Sequence, residues 1–333
     1  IFVFGGKMEV ATKVEKTKQL EDAARLALTS CMGLKKGENL LVVTDEPLEE
    51  IGQAFYRVGR EMGAEAVLAL MPPRSGSGVE PPAPIAAAMK AADVVMIPTS
   101  KSLSHTQARK EACKSGARVA SMPGITVEMM ARTLVADYQK VAEVNERIAK
   151  VLTKGKKAHL TSPAGTDLVM SLEGRAGDPD SGLYLEKGIF GNLPAGEVYT
   201  APLEGTSEGI LVIDGAMSGV GIVDSPIRMK VEKGYAVSIE GGSSAKSLEK
   251  LIEIHGKEAR NIAELGIGTN PEAILTGLVL EDEKVLGTAH VAIGNNATFG
   301  GVVNVPSHLD GILLNPTLEV DGTFILKGGQ LVI

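Results

Sequence analysis

The sequence predicts two joined folds: an α/β N-terminal domain with a parallel sheet of Rossmann-like outline over residues 8–155, and an α+β C-terminal domain over residues 156–333. Strand-length apolar runs alternate with amphipathic helices through the first half, as in a parallel sheet covered on both faces. Glycine then becomes denser: 12 of the 39 glycines fall in residues 1–155 and 27 in the remainder, so turns multiply where helices thin out. With 333 residues, the chain is long enough for two domains and a large core.

Residues 8–34 carry Val10, Ala11, Val14, Leu20, Ala23, Ala24, Ala27 and Leu28 near a 3.6-residue period, which predicts a helix. The run NLLVVT at 39–44 is a buried strand. Asp45 is expected to cap the next helix, with Pro47 in its first turn and Gly63 as its stop. A second strand spans 66–71. A loop of Pro, Gly and Ser follows at 72–84, then a short Ala-rich helix at 85–92, a strand at 93–97, a helix at 104–115 and a strand at 117–121. One long helix is expected from about Thr126 to Leu152. Neither GxGxxG nor GxxxxGK[ST] follows any of these strands, so the first half reads mainly as scaffold.

Beyond Lys154–Lys157 the expected strands are 158–162, 168–172, 209–214, 227–231 and 236–240, with more from Val291 onward. A helix is expected over 245–265, which places Glu264 at its C-terminal end. A carboxylate is unfavourable there unless a cation offsets the helix dipole.

Bulk properties narrow the function. A net charge of −7 disfavours nucleic acid as a partner, and 3% aromatic residues with no Trp leave little for base stacking. No apolar run reaches the roughly 18 residues of a membrane span, so no membrane partner is expected. The N-terminal IFVFGGKMEV lacks the basic and apolar regions of a secretory signal, and Cys31 and Cys113 form no CxxC; the expected location is cytoplasmic.

Candidate site residues concentrate in the second half. His308-Leu-Asp310 would place an imidazole and a carboxylate on one face of a strand, and His290 begins the alternating HVAIG. Glu197 sits in NLPAGEVYTAP between prolines and a glycine, Glu264 in AELGIGTNP, and Glu283 seven residues before His290. His105 and His159 lack acidic partners at ligand spacing, and His255, with Glu258 at i+3, reads as a solvated helix pair. Asp167 and Arg175 are candidates for substrate contact or for a hairpin salt bridge. No GxSxG elbow is present.

The order NLPAGEVYTAP, AELGIGTNP, EDEKVLGTAHVAIG and SHLDG resembles the aminopeptidase T family of metallopeptidases. The resemblance implies a two-metal site with Glu197, Glu264, His290, His308 and Asp310 as ligands to two divalent ions (Zn, Co or Mn). It implies Glu264 or Glu283 as the catalytic proton carrier, a peptide substrate and a homodimer. Where that family carries a catalytic Tyr, this chain reads GNNATFGG, so peptidase activity would require another group there, Asn295 or Asn296. Two other readings stay open. His290, His308 and Asp310 also make a two-His-one-carboxylate set, which suits a mononuclear Fe(II) oxygenase such as a ring-cleaving dihydroxypyridine dioxygenase. The third reading is a metal- or ligand-binding relative without turnover.

Overall fold

The computed structural model describes residues 4–333; residues 1–3, the start of the segment read against a secretory signal, lie outside the described residues. The chain forms two compact units. One runs to Tyr138 and adds Gly182–Ala195; the other is Gln139–Ser181 with Gly196–Ile333. The units are thus interleaved in sequence, whereas composition suggests a single division near residue 155.

The first unit is a five-stranded parallel sheet in the spatial order Glu65–Met71, Asn39–Asp45, Val94–Ile97, Arg118–Ser121 and Phe190–Asn192. Its inner strands are apolar on both faces because helices cover both. Leu41, Val43, Val95 and Ile97 pack with Met89 and Ala112 on one side. On the other side, Gly59 of helix Glu49–Glu61 comes so close that a Cβ there would lie 2.3 Å from the Leu40 side chain. The strand Phe190–Asn192 is only three residues long, too short for a periodic signal.

Two expectations are corrected in this unit. The long helix of 126–152 is two helices, Val127–Thr133 and Tyr138–Lys154. Asp45 is not a helix cap: its side chain caps nothing. Its Oδ2 instead accepts hydrogen bonds from the Ser100 N–H at 2.8 Å and the Ser100 hydroxyl at 2.5 Å, tying the ends of two neighbouring strands. Among the described residues, no helix is long and apolar enough to cross a membrane.

The second unit holds two antiparallel sheets. The eight-stranded sheet runs in the order Tyr235–Glu240, Ile227–Glu232, Glu208–Ile213, Asp167–Ser171, Lys157–Thr161, Thr317–Val320, Thr323–Lys327 and Gln330–Leu331. The seven-stranded sheet has the order Gly221–Ile222, Ala216–Met217, His308–Leu313, Ala289–Gly294, Ile262–Gly268, Glu197–Thr200 and Asp178–Asp180. Leu160, Leu168, Met170, Leu211 and Met229 of the first sheet share one core with Val198, Leu265, Ile267, Val291, Ile293 and Leu313 of the second. Helix Ser243–Ile252 closes that core with Leu248 and Ile252.

The predicted helix over 245–265 is overturned in its second half. The helix ends at Ile252, and Gly256 at φ +72° turns the chain in a conformation that favours glycine. Residues Ile262–Gly268 are then a strand. Ala259 and Ile262 do face the core, but on separate elements, so their apparent helical spacing is a coincidence of burial. Glu264 therefore lies inside a sheet and not at a helix terminus.

Candidate metal centre

A strand sends alternate side chains to opposite faces. In the seven-stranded sheet, Val198, Leu265, Ile267, Val291, Ile293 and Leu313 enter the core, so their neighbours emerge on the other face. Those neighbours include Glu197, Tyr199, Glu264, His290, His308 and Asp310. Register aligns them: Gly268 pairs with Glu197, Gly266 with both Tyr199 and His290, and Ala292 with both Glu264 and Asp310. A bulge after Ile262 sets the phase that turns Glu264 outward. Gly266, Gly268 and Ala292 are small, which leaves room above the sheet for the larger donors. A Cβ at Gly266 would sit 1.9 Å from His290 Nε2, so this position has to be glycine for the imidazole to lie where it does.

Two groups of donors result, and each is compact enough to hold one cation: Glu197, Glu264 and His290, and Glu264, His308 and Asp310. Glu264 belongs to both. His290 Nε2 is 3.2 Å from Glu197 Oε2 and 3.4 Å from Glu264 Oε1. His308 Nε2 is 3.2 Å from Glu264 Oε2 and 3.3 Å from Asp310 Oδ1. The structure thus brings all five sequence-predicted ligands onto one face.

The surroundings fit a cation. Glu197 Oε2, His290 Nδ1 and His290 Nε2 are buried atoms with no aligned hydrogen-bond partner, a condition that is costly unless something else satisfies them. His308 Nδ1 lies 2.7 Å from the Asn295 carbonyl oxygen. That oxygen only accepts, so Nδ1 carries a proton and Nε2 is the ring nitrogen that faces Glu264 and Asp310. The Asp310 N–H donates to the Ser218 hydroxyl at 3.1 Å, which fixes the strand beside its carboxylate.

The electrostatics point the same way. Burial opposes a charge on His290, but Glu197 and Glu264 outweigh it and raise its pKa to about 10. Burial likewise opposes the His308 charge, and Asp310 with Glu264 carries its pKa well above the usual imidazole range. Asp310 is lowered to about 2, because His308 overcomes the burial penalty. A site in which three carboxylates draw protons onto two imidazoles is one that attracts positive charge.

Glu283, read from sequence as a proton carrier, is held by its neighbour: its Oε1 lies 2.5 Å from Lys284 Nζ. Burial pushes its carboxyl up to about 8, with Lys284 pulling against that and Glu197 adding to it. The rest of the acidic run is structural. Glu281 Oε1 accepts the Ile274 N–H at 3.0 Å, and Asp282 Oδ1 accepts the N–H groups of Thr276 and Gly277 at 2.6 and 3.1 Å. Lys284 itself was missed, since nothing in EDEK marks one lysine as buried. Tyr199 and Phe299 were missed too. Tyr199 was within reach of the argument, being two residues from Glu197 on one strand. Its ring meets Phe299 edge to face at 5.5 Å between centroids, and Phe299 meets the His308 ring likewise at 5.7 Å.

Asn295 and Asn296, the expected substitutes for a Tyr, shape the loop. Asn295 Nδ2 donates to the Val305 carbonyl, while Asn296 Nδ2 donates to Glu204. Arg175 pairs with Glu204, and Asp167 pairs with His159 at 2.7 Å, which corrects the reading of His159 as lacking an acidic partner. His105 and His255 lie in neither donor group.

Comparison with known proteins weighs the dioxygenase likeness against the aminopeptidase one. A family model described as 2,5-dihydroxypyridine 5,6-dioxygenase (NicX) matches residues 19–333. The 2,5-dihydroxypyridine 5,6-dioxygenase of Pseudomonas putida KT2440 is 27% identical over 263 residues, covering 74% of this chain and 72% of that protein. A solved structure of the 2,5-dihydroxypyridine dioxygenase of that organism superposes with a TM-score of 0.80 at 21% identity, over 96% of this chain and 97% of that one. Aminopeptidase T of Thermus thermophilus is 32% identical over 167 residues, but this is 47% of this chain and 38% of that protein. Its structure superposes with a TM-score of 0.70 at 19% identity, over 95% of this chain and 99% of that one, which is a likeness of fold. The aminopeptidase expectation, with its hydrolase class and peptide substrate, is therefore corrected: in sequence that relationship is distant and partial, and the sequence-family match that spans nearly the whole chain is to the dioxygenases. The chain belongs to the 2,5-dihydroxypyridine 5,6-dioxygenase (NicX) family.

Proposed function

We propose that this protein is a metal-dependent dioxygenase that opens a dihydroxylated pyridine ring or a closely related hydroxylated aromatic ring. The observation that carries the reading is the family match over residues 19–333, and the donor cluster on the seven-stranded sheet supports it. Glu264, His290, His308 and Asp310 are the residues that would hold the metal, with Glu197 completing the set. Imidazole and carboxylate donors without thiolate suit ferrous iron. A bound ferrous ion would supply the redox chemistry that lets dioxygen react with an aromatic ring.

The chain's own residues define how such a ring is received. Among the five donors His308 is the open one: its side chain is 32% exposed, against 8% for Glu197 and Asp310. A substrate therefore approaches from the His308 side. Phe299 and Tyr199 stand there as an apolar wall, edge to face with each other, and a planar ring gains both area burial and aromatic contact against it. Tyr199 serves as a neutral phenol. Burial raises its pKa and the nearby Asp178 adds to this, while its hydroxyl donates to Asp178 Oδ2 at 3.2 Å. Asn295 engages His308 Nδ1 through its carbonyl, so Nε2 is the ring nitrogen that faces the site and would exchange its proton for a cation.

The test is direct. The purified chain is stripped of metal, loaded anaerobically with Fe(II), mixed with 2,5-dihydroxypyridine and exposed to air. The expected result is oxygen uptake in step with loss of the ring's ultraviolet absorbance, and no release of p-nitroaniline from an amino-acid p-nitroanilide. A folded, iron-loaded protein that consumes no oxygen with this or related dihydroxylated rings would sink the reading. Metal content per chain, measured on the same sample, counts whether one or both donor groups are filled.

A further inference from the structure

Lys284 is a lysine with no solvent exposure, and it sits between two carboxylates. Its Nζ is 2.5 Å from Glu197 Oε1 and 2.5 Å from Glu283 Oε1. The short turn that carries it is pinned to the metal-donor sheet. The Asn270 N–H donates to the Lys284 carbonyl at 2.9 Å, and Gly268 approaches so closely that a Cβ would meet the Val285 carbonyl oxygen at 2.1 Å. Burying a lysine between two carboxyl groups costs several kcal/mol per ion before pairing, and an apolar cluster of similar volume is often as stable. Stability alone is therefore a poor reason for this arrangement.

Its geometry supplies a better one. Glu197 has two carboxylate oxygens, and Lys284 occupies one of them. The other, Oε2, is left without an aligned partner, 3.2 Å from His290 Nε2. The Glu197 main chain is fixed as well: the Asn145 side-chain amide donates to its carbonyl at 2.9 Å. We propose that Lys284 is the positioning residue that presents Glu197 to the cation site as a single-oxygen ligand, with Glu283 anchoring Lys284 from behind. The proposal rests on Glu197 being a cation ligand and is independent of the substrate.

Two roles for Lys284 predict opposite signs. As a mere counter-charge, its removal makes the site more negative and strengthens cation binding. As a positioning residue, its removal lets Glu197 turn away and weakens binding by roughly 10–100-fold, the usual range for losing a partner of a ligand. The measurement is equilibrium dialysis of the metal-stripped full chain against Zn2+ alone, for the parent, Lys284→Met, Glu197→Gln and the double variant. Expected is a weaker Lys284→Met, a weaker Glu197→Gln, and a double variant no weaker than Glu197→Gln, because Lys284 acts through Glu197. Affinity that rises or stays level in Lys284→Met overturns the proposal, as do fully additive losses. Unchanged affinity in Glu197→Gln instead removes Glu197 from the ligand set, a separate failure. Should Lys284→Met not fold, as circular dichroism would show, Glu283→Gln is read in its place. It loosens Lys284 from the far side, and a smaller loss of the same sign is expected; a gain or no change overturns the proposal equally.

Discussion

The two units use their sheets in opposite ways. In the parallel sheet of the first unit, strand Asn39–Asp45 is buried at six of its seven positions, and helices take up both faces. Polar groups are left for the strand ends, where Asp45 meets Ser100. In the seven-stranded antiparallel sheet of the second unit, one face enters the core and the other is released for chemistry. Each strand can then contribute a donor at every second residue, and four adjacent strands bring five donors together. The contrast teaches that alternation, more than the number of acidic residues, decides where a cation site can be built.

Glu264→Gln strikes the residue common to both donor groups. The amide keeps the shape but cannot match the carboxylate's charge. The expected loss of Zn2+ or Fe(II) affinity exceeds the roughly 10–100-fold typical of an outer partner, and ring-opening activity falls with it. Dialysis and oxygen uptake report the two effects, and circular dichroism should show the fold intact. Cation binding at parental strength would mean the alternating face is not where the metal sits.

The histidines give a pH dependence that the first unit should not share. His290 has its pKa raised to about 10 in the folded protein, above the roughly 6.5 of an unfolded chain. Its contribution is fully present below the unfolded value and is lost as pH rises through the folded one. For metal-stripped protein, Tm should therefore fall across the window from about 6.5 to about 10, and saturating Zn2+ should offset the fall by replacing the proton. A His290→Gln variant with the same pH slope as the parent would refute this assignment.

Much of this contrast was legible in the sequence. NLLVVT announces a doubly covered strand, and the i, i+2 spacing of His308 and Asp310 announces a shared face. The five donors were named before any geometry. Glu264 was placed on the wrong element because Leu248, Leu251, Ile252, Ala259 and Ile262 imitate a helical stripe across a helix, a turn at Gly256 and a strand. Lys284 was invisible because burial of a lysine depends on two carboxylates brought in from elsewhere in the fold. The reaction class was misread for a related reason. The motifs that carried the resemblance are the ones that hold donor atoms, and donors specify a cation and not the bond to be broken. The match that separates the two classes runs over residues 19–333 and not through the donor motifs alone.

Gly266→Ala is a smaller perturbation of the same face. The added Cβ would lie 1.9 Å from His290 Nε2, so the imidazole has to move. Overpacking of this kind costs about 1–3 kcal/mol, and the displaced ring should weaken cation binding as well. Urea unfolding and dialysis together check this. Destabilisation with unchanged affinity would show that His290 is not a ligand in its observed rotamer.

The mildest change belongs to the first unit and supplies the control. Thr106 precedes helix Gln107–Lys114; its hydroxyl oxygen accepts the Arg109 N–H at 3.3 Å, and its hydroxyl donates to the Leu103 carbonyl at 2.7 Å. Removing such a cap costs about 1 kcal/mol, because a helix N-terminus then keeps an unsatisfied N–H. Thr106→Ala should lower stability by that amount in urea unfolding while Zn2+ affinity stays at the parental value. The reasoning is local: the hydroxyl serves one helix end and one loop, and none of the five donors depends on it. A loss of cation affinity with this variant would contradict this division of labour, since it would require the scaffold unit to transmit a local cap change to the antiparallel face.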